Sequence, residues 1–270
     1  MKVLFLDLDG TLLDDEKRIT PGNRAALQQA LDRGHRVVIT TGRPLASAKI
    51  QNEKLGLTGN GCYIIAFNGG VIYDCGKGAP IYENYLSKET ALKAIRLCNQ
   101  AGVHVQAYDA THVLVEPDHD QEAVEYYRST TGTVFRQVES FRQELGESVP
   151  KVLAISLTER AALERAEKLL KSELSLETDC LYSSDKYMEI VAKGLNKGAA
   201  IIRLCGLLGV PVSDSIAVGD QENDLMMIKT AGLGVAMANA IDSVKAQAGY
   251  VTTRDNNHDG VAEVVEKFLL

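Results

Sequence analysis

The fold of this 270-residue chain is decided near its start, by Val3-Leu4-Phe5-Leu6-Asp7-Leu8-Asp9-Gly10-Thr11. Four apolar residues in succession are typical of a short strand that is buried on both faces of a parallel sheet. Gly10, after the second aspartate, lets the backbone turn sharply where the strand ends. The stretch therefore predicts a buried strand that brings two carboxylates, Asp7 and Asp9, to the edge of a sheet.

Short apolar runs of the same kind return along the chain, with helical segments between them. Further strands are predicted at residues 37–39, 63–67 and 215–218. Thr20 and Pro21 open one of the intervening helices, as N-cap and first helical residue. The alternation of buried strands and helices predicts an α/β fold with a parallel sheet.

The middle of the chain has a different pattern. Between residues 83 and 189, apolar residues alternate with polar ones in several strand candidates, which indicates a second, separate sheet. We expect residues 83–189 to form an α+β domain, inserted into a core domain that consists of residues 1–82 and 190–270. The core pattern is expected to resume with a strand at residues 187–191.

The composition disfavours several classes of function. The chain carries 29 basic and 36 acidic residues, a net charge of −7, whereas a nucleic-acid-binding protein usually has a basic surplus. No apolar stretch reaches the roughly 18 residues that a membrane-spanning helix needs. The five cysteines are scattered without a C-x-x-C pair, which indicates free thiols and a reducing cytoplasm.

Asp7 and Asp9 are the first candidates for chemistry. Residues two apart on an extended chain lie on the same side of it. A pair of carboxylates suits a hard cation such as Mg²⁺, and a carboxylate can also attack phosphorus to give an aspartyl phosphate. From these residues alone, a metal site of the sugar-nucleotide D-x-D kind and a simple turn remain open as alternatives.

A second pair of carboxylates follows the strand predicted at residues 215–218. Asp220 and Asp224 are four residues apart at the start of a helix, and hence on one face of it. Capping of that helix is the alternative without a catalytic role. A buried and unpaired Asp220 would be costly, however, and a bound metal ion would remove that cost.

Lys197 lies in the first turn of a helix that Asn196 caps, where a positive charge opposes the helix dipole. Binding of a phosphoryl oxygen would account for this placement, and simple exposure to solvent is the alternative.

Two turns after predicted strands offer further polar groups. Thr41 and Gly42 provide a hydroxyl and an amide that can bind phosphate oxygens. Thr40 could take the place of Thr41, because neighbouring strand residues face opposite ways. Asn68 belongs to a similar turn after the next strand, and ordinary turn chemistry also explains it.

Together these segments resemble the four motifs of the haloacid dehalogenase (HAD) superfamily of aspartyl-phosphate phosphatases. In chain order they are Asp7-Leu8-Asp9-Gly10-Thr11-Leu12, Thr41-Gly42-Arg43-Pro44, Asn196-Lys197-Gly198 and Gly219-Asp220-Gln221-Glu222-Asn223-Asp224. The match spans nearly the whole chain, and the resemblance implies a Rossmann-like core.

The insertion between the second and third motifs is similar to the C2-capped, Cof-type branch of the superfamily. Phe67-Asn68-Gly69-Gly70 and Tyr187-Met188-Glu189-Ile190 also fit that branch. Within it, the fourth motif and the late Asn-His-Asp-Gly-Val-Ala segment look most like the YidA-type sugar phosphatases. The resemblance therefore implies that residues 83–189 form a cap of the C2B kind.

The resemblance also implies catalytic roles. Asp7 is the nucleophile and Asp9 the general acid and base. Mg²⁺ is held by the carboxylates of Asp7 and Asp220 and by the backbone carbonyl of Asp9. Since Asp9 lies among carboxylates, we expect its pKa to be raised so that it can hold a proton.

The remaining site residues are expected to bind phosphate or to orient those that do. The phosphoryl oxygens are expected to contact Thr41, the Gly42 amide and Lys197. Further candidates for the phosphate pocket, or for orienting Lys197 and metal-bound water, are Arg43, Asn68, Asn223 and Asp224.

The expected function is Mg²⁺-dependent hydrolysis of small phosphate monoesters, with sugar phosphates as the leading class. Pyridoxal phosphate and flavin mononucleotide are alternative substrates, and a phosphomutase is an alternative activity. A phospho-accepting regulatory module is the non-enzymatic alternative. Asp9 argues against that module, because it supplies the base that hydrolyses the phosphorylated intermediate.

Overall fold

The computed structural model describes residues 1–117, 120–131 and 134–270. This part of the chain divides into two compact units, Met1–Glu83 with Asn196–Leu270, and Asn84–Leu195. Its strands are β1 (Val3–Leu6), β2 (Arg36–Thr40), β3 (Cys62–Ala66), β4 (Val71–Asp74), β5 (Ala79–Glu83), β6 (Leu86–Ser87), β7 (His104–Tyr108), β8 (Val113–Val115), β9 (Phe135–Gln137), β10 (Ser148–Val149), β11 (Val152–Ile155), β12 (Thr178–Ser184), β13 (Tyr187–Ala192), β14 (Ser215–Gly219), β15 (Leu233–Ala236) and β16 (Tyr250–Val251).

The α-helices of the described chain alternate with these strands. They are α1 (Pro21–Asp32), α2 (Leu45–Leu55), α3 (Lys88–Gln100), α4 (Gln121–Thr131), α5 (Phe141–Glu144), α6 (Arg160–Leu174), α7 (Lys197–Leu208), α8 (Leu225–Thr230), α9 (Asp242–Lys245) and α10 (Gly260–Phe268). Short 3₁₀ helices occur at Phe67–Gly69, Val212–Asp214 and Glu222–Asp224.

The first unit is built on one sheet, with the strand order β16-β15-β14-β1-β2-β3-β4-β5. The strands from β16 to β3 are parallel, whereas β4 and β5 are antiparallel to their neighbours. Alternate residues of β1 belong to two apolar clusters on opposite faces of the sheet. Leu4 and Leu6 pack with side chains from α1 and α10, and Val3 and Phe5 pack with side chains from α7. The predicted α/β fold, with a parallel sheet buried on both faces, is confirmed.

The second unit has a different sheet, with the order β12-β13-β11-β7-β8-β9, antiparallel except between β8 and β9. Ala107, Val152 and Ile190 lie side by side on neighbouring strands of this sheet. They share an apolar cluster with side chains of α3 and α6. A short pair, β6 with β10, completes the strands described for this unit. The architecture is α+β.

The second boundary differs from the one expected from the sequence. The strand expected to resume the core sheet is β13, and it pairs antiparallel with β11 and β12 inside the second unit. Its apolar run did not distinguish the two sheets, because a central antiparallel strand is as deeply buried as a parallel one. The core unit resumes at Asn196, six residues later than residue 190.

In the part of the chain that the structure describes, no helix is both long and apolar enough to cross a membrane.

Glu263, in α10, binds the segment that follows β16. Its carboxylate accepts hydrogen bonds from the Tyr250 hydroxyl at 2.6 Å, the Thr253 amide at 2.9 Å and the Arg254 amide at 3.0 Å. Burial alone would raise the pKa of Glu263, but these hydrogen bonds outweigh it and lower the pKa from 4.5 to about 2. Glu263 is therefore a stabilising carboxylate in its ionised form.

We expect Glu263→Gln to lower the free energy of unfolding at pH 7 by about 1–3 kcal/mol, because an amide cannot replace both acceptor oxygens of a charged carboxylate. The depressed pKa fixes the sign of the pH dependence. The contribution of Glu263 is complete above about pH 4.5 and is lost as the pH falls towards 2. Urea unfolding at pH 7 and at pH 3 should show the difference between variant and wild type shrinking at the lower pH.

Glu266→Gln is the matched control, because Glu266 lies on the same helix, is 56% exposed and pairs with Arg254 only at the surface. Its effect at pH 7 should be within about 1 kcal/mol. Equal effects of the two substitutions would contradict the role given to Glu263.

Candidate active site

The carboxyl ends of three neighbouring parallel strands bring the predicted site residues to one edge of the sheet. Leu6 of β1 lies opposite Ile39 of β2 and Val218 of β14. The residues that follow these strands are therefore level with one another, and they include Asp7, Thr41 and Asp220. Ligands of open α/β sheets bind at such an edge.

Lys197 lies between two carboxylates at this edge. Its Nζ donates to Asp7 Oδ1 at 2.5 Å and to Asp224 Oδ1 at 2.6 Å, and its side chain is fully buried. The helix that carries it, α7, begins behind Asn196, whose Oδ1 accepts from the Ala199 amide at 2.9 Å. The alternative of a solvated surface lysine is wrong, because the side chain is buried. The carboxylates of Asp7 and Asp224 stabilise its charge, although its position in the first turn of α7 opposes the helix dipole.

Burial would lower the pKa of Lys197, but Asp224 and Asp7 outweigh it and raise the pKa, so the ammonium is charged. Burial also raises the pKa of Asp7 well above its ordinary value. Lys197 acts against that rise, and the nearby Asp224, Asp220 and Asp9 add to it. One buried cation thus offsets only part of the negative charge of the cluster.

Asp224 joins the lysine to the end of β14. Its Oδ2 accepts from the backbone amides of Asp220 at 2.9 Å and Gln221 at 3.1 Å, while its Oδ1 accepts from Lys197. A Cβ on Gly219 would approach the Asp224 side chain to 2.5 Å, so only glycine fits there. The capping role considered for this aspartate is therefore present, and it coexists with a direct contact to Lys197.

Asp220 lies beneath the turn that follows β1. Thr11 Oγ1 donates to Asp220 Oδ1 at 2.8 Å. Gly10 has φ +80°, and a Cβ there would lie 2.5 Å from Asp220 Oδ2, so a side chain at residue 10 would be excluded on both grounds. Burial, with the charge of Asp224, raises the pKa of Asp220 to about 7.

The carboxylate of Asp9 is held by two cations. Arg43 donates from Nε to Oδ2 at 2.8 Å and from Nη2 to Oδ1 at 2.6 Å, and Lys17 Nζ donates to Oδ1 at 2.8 Å. Burial would raise the pKa of Asp9, but Arg43 and Lys17 outweigh it and lower the pKa. The expectation of a raised pKa is wrong for this arrangement, because the nearest charges are these cations rather than carboxylates.

The two glycine-containing turns expected near phosphate lie against each other. The Asn68 amide donates to the Thr41 carbonyl at 3.0 Å, and the Phe67 amide donates to the Arg43 carbonyl at 3.1 Å. Thr41 Oγ1 accepts from the Arg43 amide at 3.2 Å. Asn68 is buried, with φ +54°. Gly42 therefore lies in a loop fixed at both sides.

Thr40 and Asn223 complete the set of candidates. Thr40 is the last residue of β2 and is fully buried, and among the described residues its hydroxyl has no hydrogen-bond partner. Asn223 lies in the short 3₁₀ helix before α8. Its side chain makes no hydrogen bond to Lys197 within the described chain, so the expected orienting contact comes from Asp224 alone.

The cluster fits a divalent cation. Oxygen atoms of Asp7, Asp220 and Asp224 all lie within 4.8 Å of one another, and all three residues are buried. Hard cations prefer such oxygen ligands. Both oxygens of Asp224 already accept hydrogen bonds, so Asp7 and Asp220 are the carboxylates better placed to hold the ion. A cation there would also lower the raised pKa values of these two groups.

Similarity to known proteins extends over nearly the whole chain. Residues 4–265 match the profile of the haloacid dehalogenase-like hydrolases. The chain belongs to this family. A phosphatase from Bacillus subtilis (strain 168), the 5-amino-6-(5-phospho-D-ribitylamino)uracil phosphatase YcsE, is 32% identical over 271 residues, covering all of this chain and 96% of its own. The pyridoxal phosphate phosphatase YbhA of Escherichia coli (strain K12) is 30% identical, covering all of this chain and 99% of its own.

The family assignment extends to the fold. The solved structure of a haloacid dehalogenase-like hydrolase from Bacteroides thetaiotaomicron has a TM-score of 0.87 at 31% identity, covering 98% of either chain. The predicted class of enzyme, a HAD-type phosphatase, is confirmed. The finer likeness to YidA-type sugar phosphatases stays a prediction.

Two residues of the site were missed by sequence reasoning. Thr11 was part of the decisive stretch, and its hydroxyl after the glycine turn was a signal that could have indicated a contact with a nearby carboxylate. Lys17 gave no such signal. Its contact with Asp9 depends on a left-handed backbone at residue 17, φ +61°, which its sequence context does not indicate.

We expect Lys197→Met to lower the free energy of unfolding in EDTA by about 3–5 kcal/mol, because it leaves buried carboxylates without their cation. The double variant Lys197→Met with Asp224→Asn should recover part of that loss, since it removes one of the carboxylates and keeps an acceptor for the Asp220 amide. Urea unfolding measures both. Lys229→Met, at an exposed position of α8, is the control. A Lys197→Met protein as stable as the control would contradict the charge argument.

Proposed function

We propose that this protein hydrolyses small phosphate monoesters with Mg²⁺ as cofactor, through an aspartyl phosphate formed on Asp7. The observation that carries the proposal is the buried group in which Lys197 bridges Asp7 and Asp224, with Asp220 at the same edge of the sheet. Such a group combines a candidate nucleophile, a cation for phosphoryl oxygens and carboxylates for a metal ion.

In the first step, an Asp7 oxygen attacks the phosphorus of the ester, and the bond from phosphorus to the alcohol oxygen breaks. The phosphoryl group is then held on Asp7 as a mixed anhydride. Lys197, which donates to Asp7 Oδ1 at 2.5 Å, is close enough to the nucleophile to bind a phosphoryl oxygen during the transfer. Mg²⁺, held by Asp7, Asp220 and the carbonyl of Asp9, would offset the repulsion between two anions.

The loop that contains Thr41 and Gly42 supplies further donors to the phosphoryl group. Backbone hydrogen bonds to Phe67 and Asn68 fix this loop, so its groups need little reorganisation when charge develops. Arg43, which pairs with Asp9 in this structure, is the cation of the loop that would bind the phosphoryl group. Asn68 supports the loop through its backbone.

Asp9 protonates the leaving alcohol in the first step. In the second step it removes a proton from water, the water oxygen attacks phosphorus, and the bond between phosphorus and Asp7 breaks to release phosphate. The ion pairs that lower the pKa of Asp9 do not suit a proton donor. Asp9 therefore has to exchange its contacts with Arg43 and Lys17 for a contact with substrate.

Sugar phosphates are the first substrate class to test, followed by pyridoxal phosphate and flavin mononucleotide. The names of YcsE and YbhA indicate that relatives with about 30% identity differ in substrate, so the family alone does not select one. A panel of phosphate monoesters ranked by kcat/KM addresses this question. A sugar phosphate that is isomerised without release of free phosphate would instead support a phosphomutase.

We expect purified protein to release phosphate steadily from p-nitrophenyl phosphate in Mg²⁺ and to stop when EDTA is added. Added Mg²⁺ should restore the rate, because the carboxylates of Asp7 and Asp220 need a cation to tolerate the incoming phosphate. Turnover that persists in EDTA, in protein shown by elemental analysis to be free of divalent metal, would contradict the cofactor assignment.

We expect Asp7→Asn to abolish turnover, with a loss of at least about 10³-fold in kcat, because an amide does not form the phosphorylated intermediate. Circular dichroism and thermal unfolding should show a folded variant, since asparagine keeps the shape of the side chain. Asp32→Asn, at the exposed end of α1, should retain full activity. Retained activity in Asp7→Asn would exclude Asp7 as the nucleophile.

A further inference from the structure

We propose that Asn239 and Asn256 are positioning residues, whose side-chain amides hold the segment after β1 so that Asp9 can reach the leaving alcohol. We call residues 9–19 the flap, and the pair Asn239 and Asn256 the amide clasp. This inference rests on the proposed function, because it concerns the acid step of that reaction.

The flap is a compact excursion with Asp9 at its base. Leu13 pairs with Asp9 and with Ile19 through isolated β-bridges, and its side chain is fully buried. Lys17 lies at the outer turn, and its ammonium returns to Asp9. The direction of the Asp9 carboxylate therefore depends on how the flap as a whole is held.

Asn239 holds the first turn of the flap. Its Nδ2 donates to the carbonyl of Gly10 at 2.7 Å, and its Oδ1 accepts from the backbone amide of Asn256 at 3.1 Å. Gly10 is also the residue whose backbone lies against Asp220. One side chain thus fixes the peptide between Gly10 and Thr11, one residue after Asp9.

The loop that carries Asn239 is itself fixed to the catalytic edge, by which we mean the edge of the first sheet where Asp7, Thr41 and Asp220 lie. The Met237 amide donates to the Gly219 carbonyl and the Ile241 amide to the Asp220 carbonyl, each at 3.1 Å. The loop therefore spans from the end of β14 to the flap. The distance between Asp220 and Gly10 is set by this loop as well as by the turn itself.

Asn256 holds the middle of the flap. It is 3% exposed, and its Nδ2 donates to the Leu13 carbonyl at 3.1 Å and to Asp15 Oδ1 at 3.0 Å. The neighbouring Asn257 accepts from the Asp15 amide and donates to its carboxylate, at 3.1 and 3.2 Å. Amide side chains suit this task, because they donate to backbone carbonyls without adding charge beside the carboxylates of the site.

The same late segment also holds the exit from the flap. Asp259, with φ +61°, accepts from the Thr20 hydroxyl at 2.5 Å and from the Asn23 amide at 3.1 Å. The contacts at Gly10, Leu13 and Thr20 are made by three different side chains, those of Asn239, Asn256 and Asp259. They hold the flap at its first turn, at its middle and at Thr20, the residue that follows it.

A purely structural role for the clasp predicts a general loss of activity, whereas a positioning role predicts a loss that depends on the leaving group. An alkoxide leaves poorly without a proton, so alkyl phosphates need Asp9 in place for the first chemical step. The p-nitrophenolate ion leaves without much help. The rate of alcohol release in the first turnover isolates this step, because Asp9 acts in it only as an acid.

The variants are Asn239→Asp and Asn256→Ala. The first is nearly isosteric and keeps the acceptor for Asn256, but it replaces the donor to Gly10 with a carboxylate oxygen. It thereby adds a negative charge, which Asn256→Ala does not. The second removes both contacts to the flap. Asn60→Asp, in an exposed loop before β3, is the matched control.

First-turnover alcohol release should fall at least about 10-fold for an alkyl phosphate that the wild type hydrolyses, and less than about 3-fold for p-nitrophenyl phosphate. The control should change neither rate. Equal losses on the two substrates, or no loss on either, would overturn the positioning role.

Hydrogen–deuterium exchange of residues 9–19 gives a second readout that needs no activity. The backbone amides of Leu12 and Leu13 donate to the carbonyls of Asp7 and Leu8, just before the flap, and the Asp14 amide donates to the Arg18 carbonyl. The exchange of these three amides should speed up in both variants but not in the control. Unchanged exchange would overturn the clasp. A wild type that hydrolyses no phosphate ester would refute the proposed function, and the exchange result would still decide whether the clasp holds the flap.

Discussion

Lys197 lies fully buried between Asp7 and Asp224, and the arrangement of the catalytic edge depends on its charge. Several carboxylates at the ends of adjacent strands repel one another, and burial makes that repulsion stronger. An isolated charge of either sign would be costly there, whereas the ammonium and its two partners compensate each other. The raised pKa values of Asp7 and Asp220 indicate that this compensation is partial. The remaining negative charge favours the binding of one more cation at this site.

Two glycines provide the space that the buried carboxylates of the site need. Gly10 and Gly219 are the residues at which a Cβ would collide with Asp220 and Asp224. The Thr11 hydroxyl then donates to the Asp220 carboxylate. The Asp224 carboxylate accepts hydrogen bonds from the backbone amides of Asp220 and Gln221. The two glycines therefore affect the electrostatics of the site, because they allow the backbone to lie close to the carboxylates of Asp220 and Asp224.

Much of this was predictable from the sequence, because short apolar runs that end in polar residues determine both the parallel sheet and its catalytic edge. The convergence of Asp7, Thr41 and Asp220 follows from strand direction alone. The strand β13 could not be assigned in the same way, since its burial is equal in either sheet. The environment of Asp9 was also out of reach. It depends on side chains 8 and 34 residues away, Lys17 and Arg43, whose directions are set by local backbone geometry.

The ion pairs of Asp9 connect phosphate binding to proton transfer. A general acid must carry a proton when the ester bond breaks, yet Arg43 and Lys17 favour the ionised form. On the proposed mechanism, a phosphate dianion that enters the site competes with Asp9 for the Arg43 guanidinium. Loss of that partner raises the proton affinity of Asp9 just when a proton is needed. Lys17 belongs to the flap, so the second partner is controlled by whatever holds the flap. The acid step then depends on two conditions, an occupied phosphate site and a correctly placed flap, and neither is a property of the Asp9 side chain alone.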